Sequence, residues 1–131
     1  MDSVAIVTAY YEAWGEGNLD ALDRLVAADF VGHDPASGPD FDREGLKQRL
    51  AVLHSVVPGF SVTSQSVVAQ DDLVTFRWRS EATIGGEPVS WTGITIYRIC
   101  DGAIAEFWNE WDNLRFLDAI GAVPESSRPA D

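Results

Sequence analysis

The sequence contains few cysteines and few basic residues, and it lacks a long hydrophobic run. Cys100 is the only cysteine among 131 residues, so no disulfide can form within the chain and nothing indicates an oxidising compartment. Nine Lys and Arg stand against 21 Asp and Glu, which gives a formal charge of −12. Nucleic acids and anionic membranes bind basic surfaces, so this charge argues against both as partners.

The absence of a hydrophobic run also bears on location. No apolar segment approaches the roughly 20 residues of a membrane-spanning helix, and residues 1–16 lack the basic start of a secretory signal. We therefore expect a cytoplasmic protein. Its length fits one domain, since domains typically run to about 100–150 residues. We expect that domain to cover residues 1–121 and a disordered tail to cover 122–131.

Aromatic residues, in contrast, are abundant. Five Trp, six Phe and three Tyr exceed what the core of a small domain needs. A surplus of this kind favours either an apolar cavity or an interface between subunits. The count of aromatic residues does not decide between these two, and the acidic charge makes a neutral or cationic small molecule the easier ligand to accommodate.

The first half of the chain shows helical spacing of its apolar residues. This spacing predicts helices over 3–15, from Asn18 to Val26 and over 43–55, with a short strand from Phe30 to His33. The turn-rich segment DPASGPD lies between that strand and the third helix.

From Phe60 onward the apolar period changes to two, which predicts strands. Four strands are expected over 60–70, 73–83, 89–100 and 103–112, with a short helix over 113–120. Helices followed by an antiparallel meander predict an α+β domain, in which three helices cover the concave face of a curved sheet. The mouth of the resulting cone-shaped interior is a natural site for a small molecule.

The segment IAEFWNEWDNLRFLDAIG, residues 104–121, places acids in an otherwise apolar passage. Strand periodicity puts Glu106, Trp108, Glu110 and Asp112 on one face. Carboxylates on such a face are costly unless they are paired or hydrated. If they are buried, their pKa values rise toward the range where a carboxyl group shuttles protons. The alternative is that this face meets solvent and the acids are surface groups.

Three segments carry a family resemblance: GNLDALDRLVAADFVGHDP at 17–35, TGITIYRICDGAIAEFW at 92–108 and WNEWDNLRFLDAIG at 108–121. Over about residues 4–121 the chain resembles the SnoaL-like polyketide cyclases of the nuclear-transport-factor-2-like superfamily. The resemblance implies a cystatin-like α+β barrel and chemistry without a cofactor or metal. It also implies a homodimer, which we expect to form through an outer sheet face carrying Phe107 and Trp111.

The resemblance also implies catalytic residues. In the cyclases, an aspartate four residues past the strand tryptophan is the general acid/base, and Asp112 holds that position after Trp108. Glu110 and His33 are expected to assist it. The family's Thr-His-x-Gly reads Thr83-Ile84-Gly85 here, so the group that polarises the substrate carbonyl has to come from elsewhere.

A second resemblance, to limonene epoxide hydrolase, implies a different reaction. That enzyme uses an Arg-x-Asp pair on the third strand and an acid two residues past the tryptophan, where this chain has Arg79, Glu81 and Glu110. A guanidinium between two carboxylates would hold their protonation states apart. The alternative is a solvated pair on an exposed strand. Trp78 lies on the opposite strand face from Arg79, so only one of the two can enter the cavity.

Several other residues are candidates for the cavity. We expect its walls to include Tyr10, Trp14, Trp78, Trp91 and Trp108, although aromatic residues at helical spacing also form ordinary cores. His33 either points into the cavity or is a loop-edge residue bonded to Asp34 or the backbone. The spacing of His33, Asp34, Glu110 and Asp112 matches no metal motif.

The leading hypothesis is a cofactor-independent acid/base cyclase or isomerase that acts on a hydrophobic polyketide-like or terpenoid-like molecule. Asp112 is its predicted proton shuttle. The first alternative is an epoxide hydrolase or epoxide-opening cyclase that uses Glu110, Arg79 and Glu81. The second is a small-molecule-binding module without catalysis, because fold alone does not decide function.

Overall fold

The structure is a computed structural model that describes residues 2–121. The expectation of a disordered tail over 122–131 lies outside the described residues. The helices are α1 (Ser3–Glu16), α2 (Leu19–Leu25), α3 (Arg43–Val56) and α4 (Asn113–Ala119), with a short 3-10 helix over Pro35–Ser37. The strands are β1 (Val26–His33), β2 (Ser61–Gln70), β3 (Leu73–Ile84), β4 (Glu87–Cys100) and β5 (Ala103–Trp111).

Each α-helix begins at a short polar residue. The N-cap residues, whose side chains accept a hydrogen bond from a backbone N–H three residues on, are Asp2, Asn18, Asp42 and Asp112. Such caps satisfy backbone donors that have no partner inside the helix. At the other end of α1, Gly17 adopts a left-handed conformation with φ of 69°, which stops the helix at Glu16.

The five strands form one sheet in the order β1-β5-β4-β3-β2. Strands β2 to β5 make the predicted antiparallel meander. Strand β1 pairs with β5 in parallel, and it begins at Val26 rather than at Phe30. The α+β prediction is confirmed, with the addition that the first and last strands are neighbours. This pairing brings the end of β1 beside the end of β5, where the candidate site lies.

The helices cover the concave face of the sheet. Side chains with 1% exposure or less join α1, α2 and α3 to the strands, among them Val7, Leu22, Leu50, Phe76 and Ile104. A smaller cluster built on Phe60, Trp78 and Trp91 lies toward α4. No helix within residues 2–121 is long and apolar enough to cross a membrane.

The aromatic residues Phe107 and Trp111 of β5 lie on the opposite face of the sheet from the one predicted from the sequence. Phe107 is buried against Phe30 and Tyr97, with ring centroids 5.2 and 5.7 Å apart. Trp111 is half-buried on the same inner face. The expectation that Phe107 and Trp111 lie on the outer face is therefore wrong, because packing of Phe107 into the core turns every second residue of β5 inward.

Candidate functional site

A cavity of about 870 Å³ lies between the concave sheet face and α1, α3 and α4. Its size is typical of pockets that hold a small organic molecule. Eleven of its thirty lining residues are aromatic, so flat apolar ligands are favoured: Tyr10, Tyr11, Trp14, Phe41, Phe60, Trp78, Trp91, Tyr97, Phe107, Trp111 and Phe116. Exposed lining residues in the segment 35–40 and on α3 mark the mouth.

Asp34 is a buried carboxylate in the wall of this cavity. It directly follows β1 and is only 8% exposed. Its Oδ1 accepts a hydrogen bond from Nε1 of Trp111 at 3.0 Å, and its Oδ2 accepts one from Oγ of Ser37 at 3.0 Å. Nδ2 of Asn109 lies 3.5 Å from the same Oδ2. A carboxylate among aromatic rings needs donors of this kind, and they hold it in a fixed orientation.

A chain of side-chain hydrogen bonds leads across the sheet to Asp34. Nε1 of Trp78 donates to Oγ1 of Thr95 at 2.9 Å, and Thr95 donates to Oδ1 of Asn109 at 2.7 Å. The amide N–H of Asn109 is then directed at Asp34. Every donor in the chain points toward the carboxylate, so the bonds polarise one another in the same sense.

Two tyrosine hydroxyl groups form the other polar part of the cavity. The hydroxyl of Tyr97 donates to that of Tyr11 at 3.1 Å, which leaves the Tyr11 proton for a further acceptor. Burial raises the pKa of both phenols above the ordinary tyrosine value. Both therefore remain neutral hydrogen-bond donors at physiological pH.

Asp112 and Glu110 are not part of the cavity wall. Asp112 is exposed beyond the end of β5, and its Oδ1 accepts from the backbone N–H of Arg115 at 3.2 Å, capping α4. Glu110 is exposed on the outer sheet face. The prediction that these carboxylates act in the cavity is wrong, and the alternative, that they are surface groups on a solvent-exposed face, holds for both. The reason is that odd-numbered residues of β5 from Phe107 onward point inward.

The Arg79 and Glu81 pair also lies on the outer face. Nε of Arg79 is 2.9 Å from Oε1 of Glu81, and the two side chains are 43% and 61% exposed. Trp78, in contrast, is 8% exposed and lines the cavity. Trp78, and not Arg79, is therefore the residue that enters the cavity. The Arg79–Glu81 ion pair is a solvated surface pair.

His33 lies outside the cavity in an ionic cluster at the junction of β1 and β5. Its Nε2 is 2.6 Å from Oε2 of Glu106, its Nδ1 is 3.0 Å from Oδ1 of Asp40, and its ring stacks on Trp108 with centroids 5.5 Å apart. The hydrogen bond to Glu106 raises the pKa of His33 and lowers the pKa of Glu106. His33 therefore neither faces the cavity nor bonds to Asp34, and the expectation that it assists catalysis in the cavity is not met.

Four of the five aromatic residues predicted to line the cavity do so in the structure. Tyr10, Trp14, Trp78 and Trp91 line the cavity, and their contact with a substrate stays a prediction. Trp108 is 39% exposed on the outer face, so its assignment to the cavity wall is wrong.

The polar residues of the cavity, Asp34, Thr95 and Asn109, are not predicted as site residues from the sequence. From the sequence, Asp34 is a candidate only as a metal ligand or as a hydrogen-bond partner of His33, and Thr95 and Asn109 are not candidates. Within residues 2–121, no three His, Cys, Asp or Glu side chains are arranged to hold a metal ion. The sequence does hold a signal for these residues. Thr95 on β4 and Asn109 on β5 are polar, whereas the next residues on the same strand faces, Tyr97 and Phe107, are aromatic. Buried polar residues of this kind usually serve one another or a ligand.

A curved five-stranded sheet whose concave face is covered by helices, with an apolar cavity between them, is the nuclear-transport-factor-2-like fold. Within that fold class, residues 7–107 match the SnoaL-like domain family, and the chain belongs to this family. The resemblance predicted from the sequence is thereby confirmed. None of the curated proteins matches the chain.

Solved structures agree with this assignment. IdmH of Streptomyces antibioticus, a proposed polyketide cyclase, is 28% identical, with a TM-score of 0.83 over 92% of this chain and 99% of IdmH. A protein with a ketosteroid isomerase-like fold from Catenulispora acidiphila, solved with trimethylamine, is 27% identical, with a TM-score of 0.79 over 95% of this chain and 97% of that one. TsrD of Streptomyces laurentii is 25% identical, with a TM-score of 0.78 over 94% and 99%.

Proposed function

We propose that the protein is a cofactor-independent acid/base enzyme that cyclises or isomerises a hydrophobic polyketide-like molecule, with Asp34 as the proton shuttle. The observation that carries this proposal is the buried carboxylate of Asp34 in an aromatic cavity, held by hydrogen bonds from Trp111 and Ser37. A base in such a place is shielded from bulk water and has a fixed direction toward a bound ligand.

The proposed reaction begins with enolisation. Asp34 accepts a proton from the carbon next to a substrate carbonyl. The electron pair of the broken C–H bond forms a C=C bond to the carbonyl carbon, and the π pair of the C=O bond moves to the oxygen. The neutral hydroxyl of Tyr11 donates a hydrogen bond to the enolate oxygen. In a cyclisation, the enolate carbon then attacks a second carbonyl of the same molecule, and Asp34 returns its proton to the new alkoxide. In an isomerisation, Asp34 returns the proton to another carbon.

The size and lining of the cavity support a flat, hydrophobic substrate. A volume of about 870 Å³ accommodates several fused or precursor rings, and the aromatic walls favour stacking on them. The similarity to IdmH, itself a proposed polyketide cyclase, supports the same substrate class. A terpenoid-like substrate is the second choice for the isomerisation. It ranks below a polyketide-like one because terpenoids offer fewer planar faces for stacking on the aromatic walls.

The proposal is tested by deuterium exchange. The protein is incubated in D₂O with 2-tetralone, a flat aromatic ketone, and exchange at the carbon next to the carbonyl is followed by proton NMR. We expect accelerated exchange, reduced at least about 100-fold by Asp34→Asn, since general acid/base groups contribute about 10²–10⁴-fold. The matched control is Asp29→Asn, which changes an exposed aspartate in the middle of β1. Binding of 2-tetralone without exchange would favour the non-catalytic binding module.

No observation favours epoxide opening. The residues of that scheme, Arg79, Glu81 and Glu110, lie on the exposed outer face and line no part of the cavity.

We also propose that the chain forms a homodimer through the outer face of the sheet, as the family resemblance implies. That face carries Ile94, Ile96 and Trp108, which are 48%, 38% and 39% exposed. Exposed apolar side chains clustered on one surface favour association. Light scattering should give the dimer mass for the wild type and the monomer mass for Ile96→Glu. Val52→Glu, a change at an exposed valine on α3, should remain dimeric.

A further inference from the structure

Among the described residues 2–121, Arg49 is the only Lys or Arg that lines the cavity. It lies on α3 beside the exposed residues of the mouth, and its guanidinium carbon is 3.9 Å from the centroid of the Phe41 ring. The ring restricts the movement of the guanidinium and leaves its N–H groups available for an acceptor.

The lack of a carboxylate partner distinguishes Arg49 from the other half-buried cations. Within residues 2–121, Arg43 and Lys47 pair with Asp23 at 3.7 and 3.2 Å, and Arg98 pairs with Glu106 at 3.2 Å. In the same part of the chain, Arg49 has no carboxylate within 4.0 Å, although 21 acidic residues are present in the sequence. Arg49 is half-buried as a residue and has no paired carboxylate among these described residues, so its N–H donors are free to bind an anion.

We propose that Arg49 binds an anionic oxygen of the substrate, which makes the substrate an aromatic carboxylic acid. This inference rests on the cavity of the proposed function and adds the charge of the ligand to it. The guanidinium presents parallel N–H groups that match a carboxylate in a bidentate arrangement. Phe41 and the other aromatic walls hold the ring system to which the carboxylate is attached.

Arg49 also determines which end of the substrate meets Asp34. A ligand carboxylate placed beside Asp34 would put two like charges in an apolar cavity, which is unfavourable. The acidic end therefore lies at Arg49 and the ketone end at Asp34. Arg49 acts as a positioning and specificity residue that sets this orientation.

The charge of the whole protein opposes the approach of an anion, because the formal net charge is −12. Ions screen that long-range repulsion over a Debye length of about 8 Å at physiological salt. The contact with Arg49 is short-range and half-buried, so it is screened less. Moderate salt should therefore speed association while preserving the preference for the acid.

The inference is tested with anthraquinone-2-carboxylate and its neutral carboxamide. Their affinities are measured by calorimetry and by quenching of tryptophan fluorescence. We expect the wild type to bind the carboxylate about 10-fold more tightly, equivalent to about 1.4 kcal/mol. Arg49→Gln should bind both probes equally, and Arg49→Lys should keep part of the preference. Arg77→Gln, which removes an exposed charge on β3, is the matched control and should keep all of it.

Three results would overturn the inference: equal affinities in the wild type, an unchanged preference in Arg49→Gln, or no binding of either probe. The outcome is separable from that of the proposed function, because the affinities do not depend on turnover. The preference for the carboxylate should persist in Asp34→Asn. A preference that depends on Arg49, without 2-tetralone exchange in the wild type, would retain the inference and reject the catalytic proposal.

Discussion

The indole Nε1–H of Trp111 donates to Oδ1 of Asp34 across 3.0 Å, joining two residues that are 77 positions apart in the sequence. Trp111 is the last residue of β5 and Asp34 is the first residue after β1. Their contact exists because β1 and β5 run in parallel side by side, so their carboxyl ends lie together. The sheet topology thus places a charged group and its donor at one end of an apolar cavity.

Replacement of Trp111 by Phe tests the contribution of this donor. The variant keeps an aromatic ring but removes the N–H, so the carboxylate loses a charge-assisted hydrogen bond worth about 1.5–3 kcal/mol. We expect about 10-fold slower exchange of 2-tetralone and a lower free energy of unfolding by urea. Trp91→Phe is the control, since Trp91 lines the same cavity without bonding to Asp34. Equal rates for the two variants would show that the indole donor has no role.

Replacement of Thr95 by Val tests the hydrogen-bond chain behind Asp34. Thr95 is 3% exposed. Loss of its hydroxyl group leaves both the Trp78 indole N–H and the Asn109 side-chain oxygen without this hydrogen-bond partner. Loss of a partner for a buried polar group costs about 1–3 kcal/mol. Urea unfolding should show a loss in this range, with slower exchange because Asn109 is no longer oriented. Thr92→Val, at an exposed position of the same strand, should change neither quantity.

Gly93 allows the Trp78 ring to lie close to β4. A Cβ atom added at Gly93 would be 2.3 Å from Cζ2 of Trp78 and 2.8 Å from Cβ of Trp111. Gly93→Ala should therefore displace these tryptophans and destabilise the protein by about 1–3 kcal/mol, as overpacking does. The measurement is thermal unfolding together with tryptophan fluorescence. Gly15→Ala, where the nearest atom would be 3.7 Å away, should be neutral or stabilising; a similar loss there would contradict the steric explanation.

The His33 cluster predicts a defined dependence of stability on pH. The folded-state pKa of His33 is raised above 6.5, chiefly by the hydrogen bond to Glu106, so its contribution is fully present below 6.5 and is lost as pH rises through the raised value. The pKa of Glu106 is lowered below 4.5, chiefly by His33, so its contribution is present above 4.5 and is lost as pH falls through the lowered value.

Both contributions are therefore present between pH 4.5 and 6.5. Urea unfolding of the wild type at pH 5.5 and 8.5 should show higher stability at the lower pH, and His33→Gln should reduce the difference. His54→Gln leaves the His33 cluster intact, so this variant should keep the difference in stability between the two pH values. An undiminished difference in His33→Gln would assign the pH dependence to other groups.

The elements of the fold could be predicted because their signals are local. The glycines near 15–17, the turn at Asp101-Gly102 and the change of apolar period at Phe60 are each contained within a few residues. The parallel pairing of β1 with β5 could not be predicted in this way, because it joins segments separated by most of the chain.

The site was harder to predict because strand periodicity shows which residues share a face of the sheet but does not show which face points toward the cavity. Strand β5 carries polar residues on both faces, Asn109 on the inner one and Glu106 and Glu110 on the outer one. Only the packing of Phe107 against Phe30, whose own position depends on β1, determines which set faces the cavity. The family resemblance predicts Asp112 as the proton shuttle, but Asp112 lies past the end of the strand and caps α4.

The proposal that Asp34, rather than Asp112, is the proton shuttle is tested by one paired measurement. The rate of deuterium incorporation into 2-tetralone is compared in Asp34→Asn and Asp112→Asn, each confirmed as folded by circular dichroism. We expect Asp34→Asn to lose at least about 100-fold in rate and Asp112→Asn to remain within about threefold of the wild type, because that residue is exposed and only caps α4. Full exchange by Asp34→Asn, or a large loss confined to Asp112→Asn, would contradict the claim.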